Sequence, residues 1–159
     1  MGQEITLPKH IKVQIWNGHW TRQDAIDNPG KIFLFGGNIL QDHFQALRVA
    51  IPSVTQAVIR GLPNAIAINT KWSNGKLDSA YFNDKEFEDF ETHLEISNDN
   101  INWYVHSENF STIILPSKEN GIGTGTAYLQ QKAPKCWELL QTFLAPLYER
   151  AEKSVISEN

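Results

Sequence analysis

The chain has 159 residues, of which 41% are hydrophobic and 20% are charged. This length favours a single domain, because domains cluster near ~100–150 residues, and the apolar share excludes a wholly disordered chain. Asp and Glu outnumber Lys and Arg by 18 to 14, and the resulting net charge of −4 argues against binding to the phosphate backbone of DNA.

Membrane insertion and secretion are also disfavoured. The longest apolar runs are far shorter than the ~20 residues that cross a bilayer, and the first ten residues lack the apolar core of a signal peptide. The single Cys excludes an internal disulfide, which fits a reducing compartment. We therefore expect a cytoplasmic protein with one domain over residues 1–150 and a C-terminal tail over residues 151–159.

The first elements in chain order are a strand, a short helix and a second strand. Residues 11–16 alternate apolar and polar side chains, which is the period of a strand with one buried face. Residues 20–27 predict a short helix capped by Thr21. Residues 32–35 form a continuous apolar run, which is typical of a central strand buried on both faces.

The middle of the chain continues this alternation. Residues 39–60 have helical spacing that Pro52 interrupts, so two shorter helices are expected there. Residues 65–68 predict a second buried strand, and a helix is expected to begin at Asp84. Residues 101–105 are consistent with either a strand or a helix.

The last part of the chain contains one strand and one long helix. Residues 112–115 predict a third buried strand. From Leu129 to Leu147, apolar residues recur at three- and four-residue steps, which predicts a helix that Pro134 bends near its start. Strands alternating with helices indicate an α/β fold with a mostly parallel sheet and right-handed crossovers.

Ligands of parallel sheets bind beyond the carboxyl ends of the strands. Three segments follow buried strands in this chain, and we expect their loops to lie at one edge of the sheet. The candidate ligand-binding residues in these segments are Gly36, Gly37, Asn38, Asn69, Thr70, Lys71, Gly121, Ile122, Gly123, Thr124 and Gly125.

The segment from Gly121 to Gly125 is the strongest local signal. Three glycines at every second position permit unusual backbone angles and close approach of a ligand, and the helix that follows directs free N–H groups towards the loop. A diphosphate fits this description, although the spacing is neither GxGxxG nor a P-loop. The alternative is a flexible loop with a helix cap supplied by Thr124 or Thr126.

Polar side chains at the other strand ends have two interpretations. The amide of Asn38 suits ribose hydroxyls, but its position after a glycine turn favours a cap for the helix that follows. Arg60 and Lys71 suit phosphate groups, although most single cations are simply solvated. Trp72 follows a strand end and suits stacking on a base or sugar, whereas most Trp residues belong to a core.

Metal and thiol chemistry find little support. The five His residues show no HxxxH or HxH spacing, so no metal is expected, and no other cofactor is implied. Cys136 lies in the apolar stripe of the last helix, which favours a core thiol over a nucleophile. No catalytic residue can be assigned from the sequence, and Asn38 is the one weak candidate.

Five segments together resemble a group of small phage and bacterial proteins that carry FGDN, RGxPNAxGIPTK, YFxD and GIGTGxA motifs. That group in turn resembles the macrodomain, an α/β domain that binds ADP-ribose. The segments are Phe35-Gly36-Gly37-Asn38, Arg60-Gly61-Leu62-Pro63-Asn64-Ala65, Ile68-Asn69-Thr70-Lys71, Tyr81-Phe82-Asn83-Asp84 and Gly121-Ile122-Gly123-Thr124-Gly125-Thr126-Ala127.

The resemblance implies positions for a ligand. It puts Asn38 near the distal ribose and Gly121, Gly123, Thr124 and Gly125 around the diphosphate. Three departures are evident: the acidic residue of FGDN is Gly37 here, the proline of IPTK is Asn69, and residues 41–46 replace the expected glycine-rich stretch. These departures weaken the case for hydrolysis more than the case for binding.

Three functions follow from these observations. The first is binding of ADP-ribose or a related NAD-derived nucleotide, which would sequester or sense the ligand in the contest between phage and host. The second is a hydrolase that removes ADP-ribose from a modified protein or nucleic acid. The third is a degenerate fold that acts as a protein-binding inhibitor or immunity protein, as the altered first loop and the aromatic content would allow.

Overall fold

Four parallel strands form the centre of the structure, a computed structural model that describes residues 7–41, 56–73, 75–118, 121–123 and 127–158. Within these residues the strands are β1 (Lys12–Ile15), β2 (Lys31–Asn38), β3 (Ala65–Lys71) and β4 (Thr112–Leu115). Their order in the sheet is β1-β4-β2-β3, and each neighbouring pair is parallel. The α/β class with a parallel sheet is therefore confirmed.

Helices lie where the apolar patterns predict them. Thr21 caps the first helix through a capping box with Asp24, and Asn83 caps the turn that leads into the second. Among the helices that the structure describes, none combines the length and apolar composition needed to span a bilayer. The helices are α1 (Arg22–Ile26), α2 (Phe87–Val105), α3 (Leu129–Lys132) and α4 (Pro134–Glu158), with 3-10 turns at Gln56–Ile59, Asp78–Ala80 and Asp84–Glu86.

Two expectations about helices are refined. Residues 101–105 form the last turn of α2, because Ile101 and Val105 lie on the same buried face as Leu94. Residues 39–41 are helical and Gln56–Ile59 is a 3-10 turn, whereas the predicted break at Pro52 lies outside the described residues.

The end of the chain differs from the expectation. Pro134 does not bend a helix; it begins α4 after α3 has ended. Proline suits the first position of a helix, since its missing N–H has no partner to lose there. The backbone of α4 then continues to Glu158, so the segment expected to be a tail is helical up to that residue.

Apolar side chains cover both faces of the sheet. Phe33 and Phe35 point to the face that holds α1 and the Gln56–Ile59 turn, and Ile32 and Leu34 point to the face that holds α2 and α4. The Gln56–Ile59 turn, which lies between β2 and β3, thus packs on one face, while α2 and α4, which follow β3 and β4, pack on the other. Ligands of parallel sheets bind at such reversals, beyond the carboxyl ends of the strands.

Candidate site at the carboxyl edge of the sheet

The predicted ligand-binding residues of the first two segments lie in strands and not in loops, which corrects the expectation. β2 and β3 continue through them because main-chain pairing joins Gly36 to Ile68 and Gly37 to Asn69. The register then shifts, so that Asn38 pairs with Lys71 and Thr70 is skipped. We call the ends of β2 and β3, residues 121–123 and the side chains that contact them the carboxyl edge. Much of this edge therefore lies within paired strands.

Gly37 allows two polar side chains to approach the strand closely. A Cβ at this position would lie 3.0 Å from Asn69 Oδ1 and 3.3 Å from Arg60 Nη1. Arg60 is only 5% exposed, and its guanidinium lies 5.3 Å from the centroid of the Phe35 ring. Arg60 is thus a buried cation beside the predicted site, and the interpretation as a solvated surface charge is wrong.

Asn38 caps the helix that follows β2. Its Oδ1 accepts a hydrogen bond from the backbone N–H of Gln41 at 2.9 Å, and its Nδ2 donates to Gln41 Oε1. Both polar atoms of the Asn38 side chain are therefore engaged at the start of this helix, and the capping interpretation is confirmed.

Two lysines converge on one aromatic ring at the end of β3. The Nζ atoms of Lys71 and Lys132 lie 4.3 and 4.5 Å from the centroid of the Tyr81 ring. Lys71 also donates to the carbonyl oxygen of Gly75 at 2.9 Å, and Lys132 lies 3.6 Å from a carboxylate oxygen of Asp78. The ring quadrupole stabilises both ammonium groups, which fixes positive charge at this edge.

Burial affects the hydration and the pKa of the Lys71 ammonium group. Its side chain is buried at the end of β3, and this desolvation lowers the pKa of the Lys71 ammonium from its ordinary value. A buried ammonium has lost part of its hydration shell. An incoming anion therefore displaces less water from it than from an exposed lysine, which favours pairing.

The glycine-rich segment is only partly described. Ile122 is buried in the main core. Gly123 has φ +86°, and a Cβ there would lie 2.9 Å from Leu140 Cδ2 and 3.3 Å from Trp137 Cζ3. Gly123 thus packs against α4, while Thr124 and Gly125 lie outside the described residues. Glycine is needed at position 123 for the turn and for the packing.

Several other candidates have structural roles. Cys136 is fully buried in the main core, which confirms a core thiol, and this burial raises the pKa of the thiol to about 12. Trp72 donates from Nε1 to Glu86 Oε2 at 3.0 Å, and its ring packs 4.7 Å from that of Phe82. The indole of Trp72 is therefore part of the packing beneath the carboxyl edge.

Three residues of this edge were not predicted from the sequence. Tyr81 belongs to the YFxD motif, which marked its segment as part of the resemblance. Nothing in the sequence indicated that two lysines would contact its ring. Lys132 gave no signal, because its approach depends on how α3 folds back over Tyr81. Gln56, whose Oε1 accepts a hydrogen bond from Gly36 N–H, is distant in sequence and gave none either.

The described residues offer no site for a metal ion. Among the residues that the structure describes, no three His, Cys, Asp or Glu side chains are grouped so that they could hold a metal ion. The chemistry offered by the carboxyl edge is instead that of three basic side chains, those of Arg60, Lys71 and Lys132.

The fold and the site define an α/β domain with cations gathered at the carboxyl edge of a parallel sheet. The chain belongs to a family of unknown function (DUF7831), whose model matches residues 15–143. That span includes every residue of the carboxyl edge described above. No curated protein and no solved structure matches the chain.

Proposed function

We propose that the protein binds ADP-ribose or a related NAD-derived nucleotide at the carboxyl edge, and thereby sequesters or senses it in the cytoplasm. The observation that carries the proposal is the convergence of Lys71 and Lys132 on the Tyr81 ring. A diphosphate is stabilised by two ammonium groups on different elements, because each can pair with one of its charges.

The topology supports the same location. The turn described between β2 and β3 packs on one face of the sheet, whereas α2 and α4, which follow β3 and β4, pack on the other. Ligands of open parallel sheets occupy such reversals. The resemblance of the motifs to small phage and bacterial macrodomain-like proteins adds the ligand class, and with it a role in the contest between phage and host.

Binding is favoured over hydrolysis of an ADP-ribose linkage. Hydrolysis needs a group that orients water or ribose, and Asn38 was the candidate for that role. The amide of Asn38 is engaged by Gln41 at the helix start, and using it in catalysis would break the cap. Turnover of an ADP-ribosylated protein or nucleic acid would therefore contradict the binding-only proposal.

Isothermal titration calorimetry with ADP-ribose tests the proposal. We expect Lys71→Gln and Lys132→Gln each to weaken binding by about tenfold, since each removes one charge-assisted contact. The matched control is Lys9→Gln, which removes the same charge from an exposed turn before β1 and should change the affinity less than about twofold.

Two results would overturn the proposal. One is the absence of heat when the wild-type protein is titrated with millimolar ADP-ribose, NAD or cyclic ADP-ribose. The other is an equal loss of affinity in the Lys9→Gln control, which would indicate general attraction of an anion. Thermal unfolding of each variant verifies that the folded state is retained.

A further inference from the structure

The exposed side of α2 differs in charge from the rest of the molecule. The helix contains five carboxylates and no Lys or Arg, and so carries more negative charge than the chain's net value of −4. The carboxylates are those of Glu88, Asp89, Glu91, Glu95 and Asp99.

Two large apolar side chains lie on the same exposed side. Ile96 is 52% and Trp103 is 71% exposed. Seven residues separate them, which puts them two helical turns and about 10 Å apart. The opposite side of α2 already supplies the core contacts, so these two side chains are not needed to hold the helix in place.

A groove lies beside Trp103 at the end of α2. Its volume is about 630 Å³, and it is lined by Asp99, Asn102, Trp103, His106 and Ser107. A neighbouring groove of about 420 Å³ shares His106 and Ser107 with it and adds Glu108. Both grooves lie near the amino ends of the strands, at the other end of the sheet from the carboxyl edge.

Several features of this groove favour a cation. Asp99 supplies a carboxylate, and the indole face of Trp103 attracts positive charge. The last turn of the helix contains no basic residue, so the partial negative charge of the helix end adds to that of Asp99.

We propose that this exposed side of α2 docks an arginine-rich segment of a partner protein. An arginine guanidinium would stack on Trp103 and pair with Asp99, and an apolar side chain of the same segment would cover Ile96. Arginine fits better than lysine because its planar group stacks and donates in a fork. This inference is independent of the proposed nucleotide binding, since it uses a different surface.

The geometry favours a protein segment over two other occupants. A free polyamine or free arginine has no apolar part to cover Ile96 two turns away. A second copy of this chain would bring two acidic helices together, and like charges across an interface are unfavourable. An extended basic segment can pair with Asp99 and also reach Ile96, which lies two helical turns from Trp103.

Fluorescence anisotropy tests the proposal with a labelled short peptide that is rich in arginine and carries two leucines. We expect salt-sensitive binding to the full chain, weakened about 5- to 20-fold by Trp103→Ala and by Asp99→Asn. The matched control is Asp89→Asn, which removes the same charge from the exposed first turn of the same helix and should alter affinity less than about twofold.

Four outcomes would overturn the proposal. The first is no binding of the peptide, and the second is an equal effect of Asp89→Asn and Asp99→Asn, which would indicate unspecific attraction to an acidic helix. The third is binding of free arginine or spermine as tight as that of the peptide, which would make the occupant a small cation. The fourth is a dimer in sedimentation that Trp103→Ala dissociates, which would make the occupant a second copy.

Discussion

The carboxyl edge of the sheet and the exposed side of α2 carry opposite charges, and these charges differ in their exposure to solvent. At the edge, the cations of Arg60 and Lys71 are buried and lie over aromatic rings. On α2, carboxylates such as Glu88 and Asp99 are exposed to solvent. The net charge of −4 therefore includes a cationic edge and an acidic flank within one small domain.

The two regions also differ in their contribution to stability. Residues of the carboxyl edge pack against the core or cap a helix, so a substitution there changes folding as well as any ligand contact. Side chains on the exposed side of α2 have little packing to lose. Substitutions on the exposed side of α2 should therefore change binding without changing stability. Substitutions at the carboxyl edge need a control for stability.

The largest expected effect is that of Gly123→Ala at the carboxyl edge. Both the positive φ and the approach of the new Cβ to Leu140 and Trp137 should lower the free energy of unfolding, by about 2–3 kcal/mol. Gly18 has a similar φ of +79° with nothing within 4 Å of a new Cβ. Gly18→Ala should therefore cost only about 1 kcal/mol.

Urea denaturation of both glycine variants measures this difference. Equal losses would mean that backbone strain alone decides the effect and that Gly123 is not packed as described. In that case the carboxyl edge would be less rigid than the adjoining core, and the contrast with α2 would be weaker.

An intermediate effect is expected for Asn38→Ala. Loss of the cap to the Gln41 N–H should lower the free energy of unfolding by about 1 kcal/mol. Asn38→Ser keeps a side-chain acceptor and should recover most of that loss. If thermal or urea unfolding found no difference between the Ala and Ser variants, the cap would contribute little to stability, and a role of Asn38 in ligand contact would regain support.

The smallest effect is expected for Trp103→Ala. Because this side chain is 71% exposed, its removal should change the free energy of unfolding by no more than about 0.5 kcal/mol. Urea denaturation provides the measurement. A loss above about 1 kcal/mol would show that the exposed side of α2 supports the fold, and the proposed separation of binding from stability would fail.

The fold was predictable where local patterns decide it. The apolar run at residues 112–115 matches β4, and the capping box at Thr21 begins α1 as expected. The extension of β2 through Gly36 and Gly37 was not predictable, because main-chain hydrogen bonds carry strand pairing past the last apolar side chain whatever the residue type.

The candidate site was less predictable than the fold. Lys71 was identified from its place after a strand, but its burial and its contact with Tyr81 depend on tertiary packing. Lys132 belongs to a helix more than sixty residues beyond Lys71 in the sequence, and only the folded chain brings the two together. Such convergence of distant polar groups leaves no periodic signal in a single sequence.

The position of β1 has a consequence for how the protein is made. β1 pairs only with β4 among the described strands, with Lys12 opposite Thr112, and Arg150 donates to the carbonyl oxygens of Pro8 and Ile11. At ~5–20 residues per second, roughly 5–20 s separate the synthesis of the two strands on the ribosome. During that interval β1 is an unpaired nascent segment, so chaperone contacts should concentrate on the first part of the chain.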